Sequence, residues 1–109
     1  MKVRVGIDLV RVERLARLAA ENPGVLETIF TGHELSHCLG RRRTYEHLAA
    51  RFAAKEAVLK ALGTGLDQRM AWIEVEIVND ASGRPRVCLS GGVEAWARRH
   101  QIEDVEVSL

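Results

Sequence analysis

A chain of 109 residues with 47% hydrophobic residues fits one small domain, expected to span residues 1–109, with enough apolar material for a core. Its 16 basic and 15 acidic residues leave a net charge of +1, which argues against a nucleic-acid or membrane-surface partner. No signal peptide is expected, no apolar run reaches membrane-spanning length, and Cys38 and Cys88 are too far apart to suggest a short metal motif. Reduced thiols and a cytoplasmic location are the expectation.

In chain order, residues 2–8 alternate as a strand does, and a first helix is expected over 10–21, stopped by Asn22-Pro23-Gly24. A second helix begins after Thr31, where Thr31 and Glu34 have capping-box spacing, and Gly40 can end it. Arg41, Arg42 and Arg43 then make a basic corner. The longest helix is expected over 45–62, broken by Gly63-Thr64-Gly65. Strands over 72–78 and 86–89 flank the turn signal Asn79-Asp80-Ala81-Ser82-Gly83. A short helix over 93–100 and a strand over 104–109 close the chain. Helices and an antiparallel hairpin that do not alternate regularly give an α+β class: a small antiparallel sheet packed with one long and several short helices.

The long helix carries an anomaly. Leu48, Phe52, Leu59 and Leu62 fall on one helical stripe, and Lys55 falls in its middle. A buried ammonium is costly unless it is paired or reaches a polar cavity. The ordinary reading, favoured by the helical wheel alone, is a Glu56–Lys60 pair at i and i+4 with Lys55 snorkelling to solvent. The sharper reading is a cation and a carboxylate facing an anionic substrate, with the glycine break letting backbone approach it closely. Asp8 is the other candidate carboxylate. It caps the first helix on the ordinary reading, and with a second carboxylate, phosphate oxygens and water it would suit magnesium.

A competing pattern lies in His33-Glu34-Leu35-Ser36-His37, the His-Glu-x-x-His of zinc peptidases, in which two histidines share a helix face and the glutamate serves as base. It continues to Gly40, but Arg43 stands where a third histidine belongs. Glu34 has a simpler use as the partner of Thr31, and three arginines follow that would repel a cation. The zinc peptidase built on His33, Glu34 and His37 is therefore the lesser alternative.

Gly6-Ile7-Asp8-Leu9-Val10 with Glu13-Arg14 resembles the first motif of the holo-acyl-carrier-protein synthases, and the run from Arg51-Phe52-Ala53-Ala54-Lys55-Glu56 to Lys60-Ala61-Leu62-Gly63-Thr64-Gly65 resembles their second. The helix start at Thr31, the basic corner, the Asn79-Asp80 turn with Gly83 and Pro85, and Leu89-Ser90-Gly91 agree. Val105-Glu106-Val107-Ser108-Leu109 resembles the start of the third motif.

The resemblance implies a 4′-phosphopantetheinyl transferase fold assembled as a homotrimer with active sites between subunits. It implies transfer of the phosphopantetheine arm of coenzyme A to a serine of apo-acyl carrier protein, releasing adenosine 3′,5′-bisphosphate. Asp8 and Glu56 would hold Mg2+, and Lys60 would contact the phosphates and stabilise the leaving group. Arg51, Lys55, Gly63 and Gly65 would join Lys60 in binding coenzyme A. Arg11, Arg14 and Arg17, which otherwise read as a solvated helix side, would with Leu18 dock the acidic carrier protein. A carrier-protein-binding paralogue without catalysis is the other alternative. Family members continue past Ser-Leu into Ser-His and a further apolar strand, whereas this sequence ends at Leu109. The expectation is an abbreviated chain that still forms a trimer and holds coenzyme A more weakly.

Overall fold

The architecture is organised around one helix that is apolar on more than one side. In the computed structural model, which describes residues 2–4 and 9–108, the strand β1 (Lys2–Arg4) is followed by α1 (Leu9–Glu21), α2 (Leu26–Ile29), α3 (Gly32–Cys38) and α4 (Thr44–Ala61). A 3-10 turn (Trp72–Glu74) leads into the strands β2 (Val75–Asn79) and β3 (Pro85–Leu89), then α5 (Gly91–Arg99) and β4 (Glu106–Ser108).

α4 buries Leu48, Ala49, Ala50, Arg51, Ala54, Lys55, Val58 and Leu59, more of its circumference than a single stripe. The reason is its place between two cores. On one side Leu48 and Ala49 join Leu15, Ile29, Leu35 and Cys38 from the first three helices and Phe30, which follows α2. On the other, Ala54, Val58, Leu59 and Leu62 pack on Val75, Ile77, Val93, Ala97 and Val107. Alanines at the crossings let the neighbouring elements approach closely. The helix ends in a Schellman arrangement: Gly63, at φ +84°, donates its N–H to Lys60, and Thr64 donates to Leu59.

β2 and β3 form an antiparallel hairpin in the register Val75–Leu89, Ile77–Val87 and Asn79–Pro85. Its turn is held by Asp80, whose carboxylate accepts from the hydroxyl of Ser82, the backbone N–H groups of Ser82 and Arg84, and the Arg86 guanidinium. The Ser82 hydroxyl leads the donors that hold its pKa well below the usual carboxylate range.

The α+β class with its small antiparallel sheet is as expected, with one correction and one addition. Residues 72–74 form a 3-10 turn where a strand is expected, because Glu74 folds back to accept from Ala71 and from Gly92. The described strands also make two separate pairs: β4 runs parallel to β1, with Val3 opposite Val107, and no ladder bonds join β3 to β4 although they lie side by side. The four-residue α2 is additional to the expected elements. No helix among the described residues is long and apolar enough to cross a membrane.

Candidate functional site

α1 lies against α4 with Leu15 buried and Arg11, Arg14 and Arg17 exposed, so the amphipathic pattern of this helix sets its orientation. Between the two helices, an open cleft of about 180 Å³ is lined by Arg11, Arg14, Leu15, Leu18, Phe52 and Glu56. Its floor is apolar and its rim is charged. Phe52 is fixed there by an edge-on contact with Trp72, their centroids 4.9 Å apart.

Glu56 stands half-exposed at the rim. It does not pair with Lys60, as the ordinary helical reading expects; its Oε1 instead accepts from the Arg11 guanidinium at 2.5 Å. Lys60, one turn further along, is exposed, and no ion pair to it is found among the described residues. Gly63 and Gly65 follow on an open surface, where an added Cβ at either would meet nothing within 4 Å. Asp8, the second expected carboxylate, lies outside the described residues. Among those described, no group of three His, Cys, Asp or Glu side chains is placed to hold a metal.

Lys55 requires a correction. It neither snorkels nor faces phosphate: its ammonium is fully buried, 2.7 Å from Glu34 Oε1, and donates also to the carbonyls of Trp72 and Val75. Those three acceptors use all three of its protons. Burial lowers its pKa, opposed by the hydrogen bond and charge of Glu34.

Glu34 is buried too. Oε1 also accepts from the N–H of Thr31, closing the expected capping box, and Oε2 accepts from the N–H of Ile77. This removes the zinc-peptidase alternative, because the would-be base is locked inside the core while His33 lies on the surface. Burial first, then the positive Arg51 and Arg41, lower the pKa of His37.

Arg51 is on a different side of α4 from Glu56. It is buried, and its Nη2 donates to Asn79 Oδ1 at 2.7 Å, while its buried Nε has no acceptor among the described residues. Asn79 opens onto a second cleft, of about 450 Å³, lined by the hairpin turn and by Glu106, Val107 and Ser108. The chain therefore gathers Arg11, Arg14, Leu18 and Glu56 on one face and places Arg51 behind α4, at the hairpin.

Phe52 as a cleft residue, Asn79 as the acceptor for Arg51 and Glu34 as the partner of Lys55 are functional contacts beyond those expected from the sequence. Only the last had a usable signal, since a lysine at a core position requires a carboxylate.

Residues 4–109 match the family model described as the 4′-phosphopantetheinyl transferase superfamily. The chain is 49% identical over 105 residues to a holo-[acyl-carrier-protein] synthase of Geobacter sulfurreducens, covering 95% of this chain and 83% of that one. Among solved structures it resembles the synthase of Neisseria meningitidis, with a TM-score of 0.73 and 30% identity over 85% of this chain and 75% of that one. It also resembles the synthase of Bacillus anthracis in complex with coenzyme A (3′,5′-ADP), with a TM-score of 0.62 and 35% identity over 81% and 76% of the two chains.

Proposed function

This chain belongs to the 4′-phosphopantetheinyl transferase superfamily, and from that premise we propose how its residues serve the transfer of phosphopantetheine from coenzyme A to a serine of apo-acyl carrier protein, with release of adenosine 3′,5′-bisphosphate. The observation that carries the assignment is the position of Glu56, a carboxylate at the rim of an apolar cleft, with Lys60 one turn away and the Gly63–Gly65 break beyond.

Mg2+ fits this donor set. One half-exposed carboxylate, with Asp8 as the second ligand, leaves most of a hard octahedral shell to water and phosphate oxygens, as magnesium prefers. When bound, the ion supplies charge neutralisation and alignment of the diphosphate. Lys60 binds the phosphates and stabilises the charge that develops on the departing bisphosphate. Gly63 and Gly65 leave room for the diphosphate to approach the backbone.

Arg51 serves the same ligand from another side. Its buried Nε, lacking an acceptor among the described residues, supports an anion-binding role next to the hairpin cleft. Arg51 and Glu56 on different sides of α4 support a homotrimer in which one subunit's hairpin face completes a neighbour's cleft. A 109-residue chain has a small core of its own and gains from such burial. Arg11, Arg14, Arg17 and Leu18 dock the carrier protein, and the reaction takes place in the cytoplasm.

Mass spectrometry of apo-acyl carrier protein incubated with coenzyme A, Mg2+ and this protein tests the reading. The carrier protein should gain one phosphopantetheine group, and Glu56→Gln should lose at least a hundredfold in rate without unfolding. Wild-type rates for Glu56→Gln over a Mg2+ titration would refute the site.

A further inference from the structure

Two residues with different tasks share one ion pair. Arg11 faces outward on α1 among the residues of the docking surface, and Glu56 is the carboxylate assigned to the metal, yet Arg11 Nη1 sits 2.5 Å from Glu56 Oε1. We propose that Arg11 is a counter-ion latch: it neutralises Glu56 while the metal is absent, competes with the cation for that carboxylate, and is freed to contact an anionic partner when the cation displaces it. This rests on the reading of Glu56 as a metal ligand.

The geometry favours a releasable contact over a structural one. The two side chains are 45% and 37% exposed, so the pair is solvated and weak enough for a divalent cation to break. The contact is made by the ends of two long side chains on α1 and α4, so rotation of the Arg11 side chain is enough to break it. Arg14 lines the same cleft, so the released Arg11 would join an already basic rim. The buried apolar contacts of Leu15 hold the helices together whether or not the pair is made.

A residue that cannot serve both groups at once couples their binding. An acidic partner that draws Arg11 off Glu56 raises the affinity for the metal, and by reciprocity the metal raises the affinity for that partner. Removing Arg11 should therefore tighten metal binding and abolish the coupling.

The test is a Mn2+ titration of the whole protein, followed by electron paramagnetic resonance of the free ion, with and without apo-acyl carrier protein. Arg11→Gln should bind Mn2+ about two- to fivefold more tightly than the unchanged chain, the range set by exposed ion pairs. Arg11→Lys, which keeps the charge, should stay near the unchanged value. Carrier protein should tighten Mn2+ binding to the unchanged chain and leave Arg11→Gln unaffected.

Glu56→Gln separates the two ideas. If it abolishes Mn2+ binding while Arg11→Gln binds no more tightly than the unchanged chain, the latch is wrong and the metal ligand stands. If Glu56→Gln still binds Mn2+ normally, the ligand assignment fails and the latch fails with it.

Discussion

At Lys55 and Glu34 the chain places two opposite charges where no water reaches either side chain. An unpaired buried charge costs several kcal/mol, so each residue is tolerable only through the other and through the backbone around it. Lys55 ties α4 to the carbonyls of Trp72 and Val75, while Glu34 ties α3 to the N–H of Ile77, so the pair fastens three elements at one point. Glu56 is the next residue on α4, and its direction depends on that anchorage. Replacing Lys55 by Met should leave the Glu34 carboxylate without its cation and destabilise the fold by about 3 kcal/mol, at the low end for a broken buried pair because two backbone donors remain. Adding Glu34→Gln should recover part of that loss, since the amide can still close the capping box. Urea unfolding of the two single variants and the double variant measures the coupling. A loss below about 1 kcal/mol for Lys55→Met would mean that the ammonium is not essential to the core.

Among the elements, the first turn of α5 is the tightest. A Cβ at Gly92 would lie 2.0 Å from the carbonyl oxygen of Arg69, a backbone atom that cannot turn aside, whereas a Cβ at Gly65 would meet nothing within 4 Å. Gly92→Ala should therefore destabilise the protein by about 1–3 kcal/mol, the usual range for overpacking. Gly65→Ala should stay within about 0.5 kcal/mol of the unchanged chain. Thermal unfolding of both variants checks this, and equal melting temperatures would contradict the packing of Gly92. The sequence made some elements plain and others not, for physical reasons. The Thr31–Glu34 cap, the long α4 and the hairpin around Asp80 follow from local rules of spacing and turn chemistry, and the structure contains all three. The 3-10 turn at Trp72–Glu74 was not legible, because a tryptophan and an isoleucine favour strand and the fold-back of Glu74 depends on Gly92, distant in sequence. Nor was the pair Arg11–Glu56, and for Lys55 the core position signals that a carboxylate is needed without saying that it is Glu34. Each pair joins residues from different elements, so helix packing decides the partner and periodicity along one helix does not.

For the molecule as a whole, a net charge of +1 conceals an uneven distribution. Arg11, Arg14 and Arg17 are exposed on α1, Leu18 is 39% exposed beside them, and the cleft that holds Glu56 opens on the same side. An acidic carrier protein approaching from solution would meet this face through its electric field before any contact forms, so the arginines should act mainly on the rate of encounter. Arg14→Glu with Arg17→Glu leaves the buried Leu15 untouched and reverses two charges, taking the formal net charge from +1 to −3. The double variant should associate with apo-acyl carrier protein at least tenfold more slowly at low salt, dissociate at nearly the same rate, and bind coenzyme A as before. Raising the ionic strength should narrow the difference, because charges farther apart than about 8 Å are largely screened at physiological salt. Surface plasmon resonance at two salt concentrations separates the rates, and calorimetry with coenzyme A supplies the control. An association rate that neither salt nor the charge reversal changes would place the docking surface elsewhere on the molecule.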